Sequence, residues 1–165
     1  MKILVAASEA VPFCKTGGLA DVVGDTKIVQ ITDIHLTNGI GFRERELIRK
    51  VNDLKPDIIF FTGDIVDDLT QVEPARELIR SLKAEIGIFG IAGDTDHIVM
   101  DGKSLARELD PAGADFLVDE YRRIPLDSGN FLWLMGLDSK SGEVELDRML
   151  VAVPDHVPKI LLAES

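Results

Sequence analysis

Three short groups of acidic and histidine residues each follow an apolar run, and their side chains are of the types that bind divalent metals. Asp33 and His35 follow KIVQIT, Asp64 follows DIIFFTG, and Asp94 and His97 follow IGIFGIAG. A carboxylate oxygen and an imidazole nitrogen together suit a divalent transition metal. If the three runs are neighbouring strands, their carboxyl ends meet at one edge of a sheet, where Asp64 can bridge two metals. The alternation of strand side chains would let Asp33 and His35 point the same way.

A purely structural interpretation of these groups is also open. A single D-x-H motif is most often a solvated turn with a helix-capping aspartate, and glycines that favour turns lie beside Asp64 and Asp94. Three such groups after three consecutive apolar runs are harder to explain in this way. We therefore expect a metal centre at this edge.

The elements that must position these residues alternate between short apolar runs and longer amphipathic stretches. This alternation is typical of an α/β fold with a covered sheet. The strand candidates are residues 27–32, 57–62, 86–92, 131–136 and 159–163. The helix candidates are residues 42–54, 73–84, 102–110 and 144–150, and residues 127–130 are expected to form a turn between two late strands.

Length and charge limit the classes of protein to consider. The chain has 165 residues, 45% of them hydrophobic, which is enough for the core of one domain. Eighteen Lys and Arg residues against 29 Asp and Glu residues give a net charge of −11, which argues against nucleic acid and anionic membranes as partners. With a single cysteine and no apolar window long enough to cross a bilayer, we expect a cytoplasmic protein without a transmembrane segment.

The opening of the chain carries a second first-strand pattern, KILVAAS at residues 2–8, ahead of KIVQITD at residues 27–33. We therefore expect a junction near Asp25. The string KTGGLADVVG within residues 1–25 resembles the amino terminus of bacterial glycogen and starch synthases. That resemblance implies that Lys15, with Gly17 and Gly18 beside it, contacts a sugar-nucleotide donor. We expect residues 1–25 to be a segment of this type and not an independent domain.

Residues 26–165 resemble the calcineurin-like metallophosphoesterase family, through the paired D-x-H and G-D-x-x-D motifs of KIVQITDIHL and FFTGDIVD. The resemblance implies an α/β/β/α sandwich. It also implies that Asp33 and His35 bind one metal and that Asp64 bridges two metals. The implied reaction is attack on phosphorus by a metal-bridging hydroxide, with no covalent enzyme intermediate.

The third motif of that family, G-N-H-D or G-N-H-E, reads GDTD at residues 93–96. In the family its asparagine binds the second metal and its histidine assists the leaving group. We expect Asp94 to supply an oxygen ligand and to act in catalysis with Asp64. Thr95 cannot replace an imidazole as a proton donor, so His97 is the candidate for that role.

The end of the sequence also departs from the family, in which the last strand leads into a histidine and then a G-H-x-H motif. Here KILLA is followed by Glu164 and Ser165. We therefore expect a sandwich incomplete at its C-terminal strands. We also expect one or two bound metals, of manganese, iron or zinc, and an unpaired sheet edge that favours self-association.

The leading interpretation is a metal-dependent phosphoester hydrolase, weakened if its last ligands are missing. Two alternatives stay open. The first is a fragment that binds a metal or a phosphate without turnover, and the second is a glycosyltransferase of the glycogen or starch synthase type.

Overall fold

The apolar runs form a parallel sheet in the computed structural model, which describes residues 3–5, 26–126, 129–154 and 157–164. The strand order is β1-β2-β3-β4-β5, and each strand is parallel to its neighbours. These strands are β1 (Ile3–Val5), β2 (Ile28–Ile31), β3 (Ile58–Thr62), β4 (Gly87–Ile91) and β5 (Ala114–Phe116). The opening strand thus adds an edge to the sheet beside β2. Parallel strands with the same direction bring the carboxyl ends of β2, β3 and β4 to one edge.

Helices connect these strands. They are α1 (Phe42–Leu54), α2 (Val72–Ser81), α3 (Asp94–Val99) and α4 (Gly102–Leu109), with short 3-10 turns at Leu69–Gln71 and Asp110–Ala112. At the start of α1 the Glu44 carboxylate accepts a hydrogen bond from the Gly41 N–H at 2.8 Å. The helix ends at Lys55, a left-handed C-cap directly before Pro56. None of the helices in these described ranges has the length and apolar character needed to span a bilayer.

A second sheet contains β6 (Glu120–Pro125), β7 (Phe131–Gly136) and β8 (Lys159–Leu162). Strand β7 lies in the centre, antiparallel to β6 and parallel to β8. Helix α5 (Glu143–Ala152) connects β7 to β8. The hydrogen bond from the Leu137 N–H to the Leu162 carbonyl, 3.0 Å long, extends the pairing of β7 and β8 one residue beyond the end of β7.

Three apolar clusters separate four layers. The first lies between the large sheet and helices α1, α2 and α4, and includes Phe61 and Leu78. The second lies between the two sheets, where Phe60 and Ile58 share a cluster with Leu134. The third lies between the second sheet and α5, around Met135 and Met149. The layers are therefore helix, sheet, sheet and helix, which confirms the predicted α/β/β/α sandwich.

Candidate metal centre

The loops that follow β2 and β3 run side by side and bring two of the predicted motifs together. The His35 N–H donates to the Asp64 carbonyl at 2.9 Å, and the Leu36 N–H donates to the Ile65 carbonyl at 2.9 Å. A parallel bridge between Leu36 and Val66 extends this pairing. The D-x-H motif is thus fixed against the G-D-x-x-D motif by backbone hydrogen bonds.

The candidate ligands have unusual backbone conformations. Asp33, His35 and Asp64 have φ angles of 51°, 47° and 54°, in the left-handed region that residues other than glycine rarely adopt. Such conformations persist only where the surrounding structure enforces them, and they cluster at functional sites. Strand alternation therefore does not align Asp33 with His35, because β2 ends at Ile31 and both residues lie in the loop beyond it.

The side chains of Asp33, His35 and Asp64 converge. Ligand atoms from the three residues all lie within 4.8 Å of one another. The His35 Nε2 atom is 3.6 Å from Asp64 Oδ2. One imidazole nitrogen and two carboxylate oxygens therefore face a common point, which is a suitable donor set for a divalent cation.

Asp67 orients the histidine of this group. Its Oδ1 atom is 2.8 Å from His35 Nδ1, and this hydrogen bond is the main cause that raises the pKa of His35, with further contributions from the charges of Asp64 and Asp33. When Nδ1 donates its proton to Asp67, Nε2 keeps a free lone pair. Asp67 is the second aspartate of the G-D-x-x-D motif, and no role had been predicted for it from the sequence.

Asp96 is a buried residue that the sequence analysis did not select. One of its oxygens accepts from the N–H groups of Ile65 and Val66, both at 2.9 Å, and the other accepts from the Gly93 N–H at 3.0 Å. Burial raises the pKa of Asp96, although these three hydrogen bonds act in the opposite direction. Its carboxylate ties the loop after β3 to the start of α3. In the sequence, Asp96 is the last residue of the GDTD motif, and this is the only feature that could have pointed to it.

Asp94 lies outside the group of three ligands, at the first position of α3. Its side chain is 63% exposed, and its Oδ1 atom is 2.8 Å from the Lys140 ammonium. Lys140 is the main cause that lowers the pKa of Asp94. The neighbouring Thr95 N–H donates to Asp64 Oδ1 at 2.9 Å, so the start of α3 holds the candidate bridging carboxylate.

His97 lies within α3 and not in an irregular loop. Its Nε2 atom is 2.8 Å from Asp138 Oδ1, a close contact without hydrogen-bond alignment, and the two side chains are only 10% and 6% exposed. The same Asp138 oxygen accepts from the Lys140 N–H at 2.9 Å. His97 therefore contacts the loop that carries Lys140 and is absent from the group of converging ligands.

Glu164 reaches the site from the end of β8, which sequence reasoning did not anticipate. Burial, followed by the negative charges of Asp64, Asp96, Asp94 and Asp33, raises the pKa of Glu164 to about 7. Among the described residues, its Oε2 atom is buried without a hydrogen-bond partner. An orphaned carboxylate oxygen beside the three converging ligands fits the presence of bound cations.

The candidate sugar-nucleotide residues Lys15, Gly17 and Gly18 lie outside the described residues. The structure therefore places Asp33, His35 and Asp64 together, Asp94 at their border against Lys140, and His97 against Asp138.

Known proteins with similar sequences cover most of the chain. The model of the calcineurin-like phosphoesterase family matches residues 26–158. The chain is 32% identical over 146 residues to YkuE, an uncharacterised metallophosphoesterase of Bacillus subtilis, with 84% of this chain and 50% of that protein covered. It is 32% identical over 92 residues to the UDP-2,3-diacylglucosamine pyrophosphatase LpxG of Chlamydia trachomatis, with 53% of this chain and 28% of that protein covered. The chain thus spans half or less of the length of these two relatives.

A second match covers the opening of the chain. The model of the starch synthase catalytic domain matches residues 2–27. The chain is also 79% identical over 24 residues to the glycogen synthase of Elusimicrobium minutum, an alignment that covers 14% of this chain and 5% of that protein. Both sequence resemblances are thereby confirmed. Because the phosphoesterase match covers well over half of the chain and includes Asp33, His35 and Asp64, the chain belongs to the calcineurin-like phosphoesterase family.

Proposed function

We propose that this chain is a metal-dependent phosphoester hydrolase with its centre at Asp33, His35 and Asp64. The observation that carries the proposal is the convergence of their ligand atoms within 4.8 Å, at the point where the loops after β2 and β3 pair. A divalent cation held there would supply Lewis acidity toward water and toward the phosphoryl group. It would also offset the charge of an acidic chain that must bind an anionic substrate.

The surrounding residues have positioning roles in this proposal. Asp67 holds the His35 ring through Nδ1, and the Thr95 N–H holds Asp64. His97 is too enclosed to reach a substrate oxygen, so we assign it the positioning of the Asp138 loop instead of proton transfer. The substrate would be a phosphomonoester or phosphodiester and the metal manganese, iron or zinc, with the cytoplasm as the proposed location. The similarity to a pyrophosphatase of Chlamydia supports a phosphate-bearing substrate.

Hydrolysis of p-nitrophenyl phosphate and bis-p-nitrophenyl phosphate with added Mn²⁺ tests the function. We expect Asp64→Asn to lower kcat at least 100-fold, because it weakens the carboxylate that faces His35 and Asp33. Asp147→Asn, a change on the exposed surface of α5, is the matched control and should keep full activity. Equal activity of the Asp64 variant and the wild type would exclude a reaction at this centre.

Two observations favour a second candidate, a protein that binds a cation without turnover. The chain has Thr95 at the position where the family has the histidine that assists the leaving group, and a threonine cannot take that role. Lys140 is paired with Asp94, so the Asp94 carboxylate is already engaged in another contact. In that case Mn²⁺ would bind and be lost in Asp64→Asn, while neither ester would be hydrolysed. A third candidate, the glycosyltransferase, depends on Lys15 and would require saturable binding of an ADP-sugar that Lys15→Ala abolishes.

A further inference from the structure

The loop that follows β7 brings an exposed lysine, Lys140, to the side of the candidate metal centre. Its ammonium lies 2.8 Å from Asp94 Oδ1. Asp94 directly precedes Thr95, whose N–H donates to Asp64 Oδ1 at 2.9 Å. The ammonium of Lys140 therefore lies beside the hydrogen bond that holds a candidate metal ligand.

Hydrogen bonds fix the backbone of this loop, residues 138–141. The Asp138 carboxylate accepts from the Lys140 N–H at 2.9 Å, and the Asp138 carbonyl accepts from the Ser141 N–H at 2.9 Å. Asp119 accepts with both oxygens, from the Asp138 N–H at 3.1 Å and from the Ser141 hydroxyl at 2.6 Å. The backbone of Lys140 is thus held in place, while its side chain is 57% exposed and free to change partner.

The Asp138 side chain that supports this loop is itself enclosed. Its Oδ1 atom is 2.8 Å from His97 Nε2 in α3. A β-carbon added at Gly102, the first residue of α4, would collide with Asp138 Oδ2. Two helices that follow β4 therefore enclose the carboxylate that fixes the Lys140 backbone.

The charges at this edge of the sheet oppose an anionic substrate. Asp33, Asp64, Asp94 and Asp96 all act as negative neighbours of Glu164. A divalent cation at the centre is balanced by the carboxylates of Asp33 and Asp64, so it leaves no positive surplus for a phosphoryl group. A basic side chain beside the centre would supply the missing positive charge.

A second basic residue near the centre, Arg43, is already engaged in holding the protein together. Its guanidinium donates to the Ile34 carbonyl, between two candidate ligands, and to the Glu44 carboxylate. Moving Arg43 would break contacts of the D-x-H loop. Lys140 is paired with an exposed carboxylate instead, and an exposed ion pair of this kind contributes little stability.

We propose that Lys140 binds the phosphoryl oxygens of the substrate, and that Asp94 holds its ammonium until the substrate arrives. A charge-assisted hydrogen bond to a phosphoryl oxygen replaces the exposed ion pair. The added positive charge attracts a dianionic phosphomonoester more strongly than a monoanionic phosphodiester, so Lys140 directs the site toward monoesters. This inference rests on the proposed phosphoester hydrolase, because it names a substrate-binding residue of that site.

Binding of phenylphosphonate to the full chain with Mn²⁺ at pH 8 tests the proposal, because this monoester analogue has a carbon–phosphorus bond that the reaction does not cleave. We expect Lys140→Gln to raise the dissociation constant by about 10-fold or more in titration calorimetry. Lys140→Arg keeps the charge and should retain most of the affinity. Lys83→Gln, the same change on an exposed lysine between α2 and β4, is the matched control and should bind like the wild type.

Two further measurements separate substrate binding from a structural role. Asp94→Asn should strengthen phenylphosphonate binding several-fold, because it releases the Lys140 ammonium and removes a negative charge. Lys140→Gln should lower kcat/KM more for p-nitrophenyl phosphate than for bis-p-nitrophenyl phosphate. Its melting temperature should equal that of the wild type, since it loses only an exposed ion pair.

Wild-type protein without measurable phenylphosphonate binding, or Lys140→Gln with wild-type affinity, would overturn the proposal. So would weaker binding in Asp94→Asn, or a larger loss of kcat/KM for the diester than for the monoester. The calorimetric test does not use hydrolysis. A protein that hydrolyses neither ester but loses phenylphosphonate affinity in Lys140→Gln would reject the proposed function and support this binding role. An active protein whose affinity is unchanged in Lys140→Gln would do the reverse.

Discussion

At the residue scale, the site depends on three side chains whose backbone conformations are costly. Asp33, His35 and Asp64 each have a positive φ, which for residues other than glycine costs of order 1 to 3 kcal/mol. The paired loops hold them in this state through the hydrogen bonds of His35 and Leu36. Hydrogen bonds within the protein therefore fix the backbone of these ligands, and the hydrogen bond that His35 Nδ1 donates to Asp67 fixes the His35 ring.

We expect Asp67→Ala to weaken Mn²⁺ binding at the centre of Asp33, His35 and Asp64 by about 10- to 100-fold at pH 8, because His35 loses the partner that fixes its ring and tautomer. The same change should lower the pKa of His35, since the hydrogen bond to Asp67 is the main cause that raises it. Protons compete less with the metal when that pKa falls, so the loss of affinity should be smaller at pH 6 than at pH 8.

Calorimetric titration at both pH values measures the affinity, and NMR titration of the imidazole signals of the metal-free protein measures the pKa. Asp53→Ala, on the exposed face of α1, is the control and should change neither quantity. An unchanged affinity in Asp67→Ala would mean that the His35 ring is oriented by other contacts.

At the element scale, the short helix α3 joins the site to the sheet. Its buried Asp96 accepts three backbone N–H groups from two segments, Ile65–Val66 and Gly93. Its Thr95 N–H fixes Asp64, and its His97 contacts the loop of Asp138. The position of the candidate bridging carboxylate therefore depends on α3 as much as on β3.

Asp96→Ala should lower the free energy of unfolding of the metal-free protein by about 3 kcal/mol or more, because three buried N–H groups lose their acceptor at about 1 to 3 kcal/mol each. Urea denaturation measures this loss. Asp101→Ala is the matched control: Asp101 is an exposed N-cap of α4 that accepts from the Ser104 N–H, so its removal should cost about 1 kcal/mol and leave Mn²⁺ binding unchanged. Equal losses in the two variants would contradict the bridging role of Asp96.

Elements with strong hydrophobic periodicity could be predicted from the sequence, and elements defined by tertiary contacts could not. Helix α1 and strand β7 begin and end at the predicted residues, since their apolar patterns are continuous. Strand β6 is rich in charged residues and forms through its pairing with β7, so no strand was predicted there. Only a turn at residues 127–130 was predicted, and its first two residues lie outside the described residues. Helix α3 was not among the predicted helices, because six residues are too few to give a periodic apolar pattern.

The same distinction applies to the site. Asp33, His35 and Asp64 were predicted from motifs and strand ends, because adjacent motifs on neighbouring strands leave a local signal. Glu164 is 100 residues from Asp64 in the sequence and reaches it only through the packing of the second sheet on the first. Asp96 belongs to the GDTD motif, but its role could not be predicted because it depends on three N–H groups that only the folded chain brings together.

At the scale of the whole molecule, a chain with a net charge of −11 concentrates several of its carboxylates at one sheet edge. Glu164 and its four acidic neighbours belong to this edge, and in the metal-free protein their repulsion opposes folding. Stability should therefore depend on pH and on divalent cations in a linked way.

The direction of the pH dependence follows from the raised pKa of Glu164, about 7 in the folded chain against an ordinary value of 4.5. The folded state favours the protonated carboxyl, so the penalty is absent below pH 4.5, grows between pH 4.5 and 7, and is complete above pH 7. The raised pKa of His35 acts in the same direction, because its stabilising contribution is lost as the pH rises through the folded pKa. We expect the melting temperature of the metal-free protein to fall from pH 5 to pH 8.

Glu164→Gln separates the two groups, since it removes the carboxyl and leaves His35 in place. The fall in melting temperature between pH 5 and pH 8 should be smaller in this variant, measured by calorimetric melting in the presence of a chelator. In the wild type at pH 8, Mn²⁺ at about 100 times its dissociation constant adds about 2.7 kcal/mol, which corresponds to a rise of about 5 to 10 °C. A wild-type profile that is flat from pH 5 to pH 8 would contradict the buried, repelled carboxylate. The absence of any Mn²⁺-induced rise in the wild type would contradict cation binding at the centre of Asp33, His35 and Asp64.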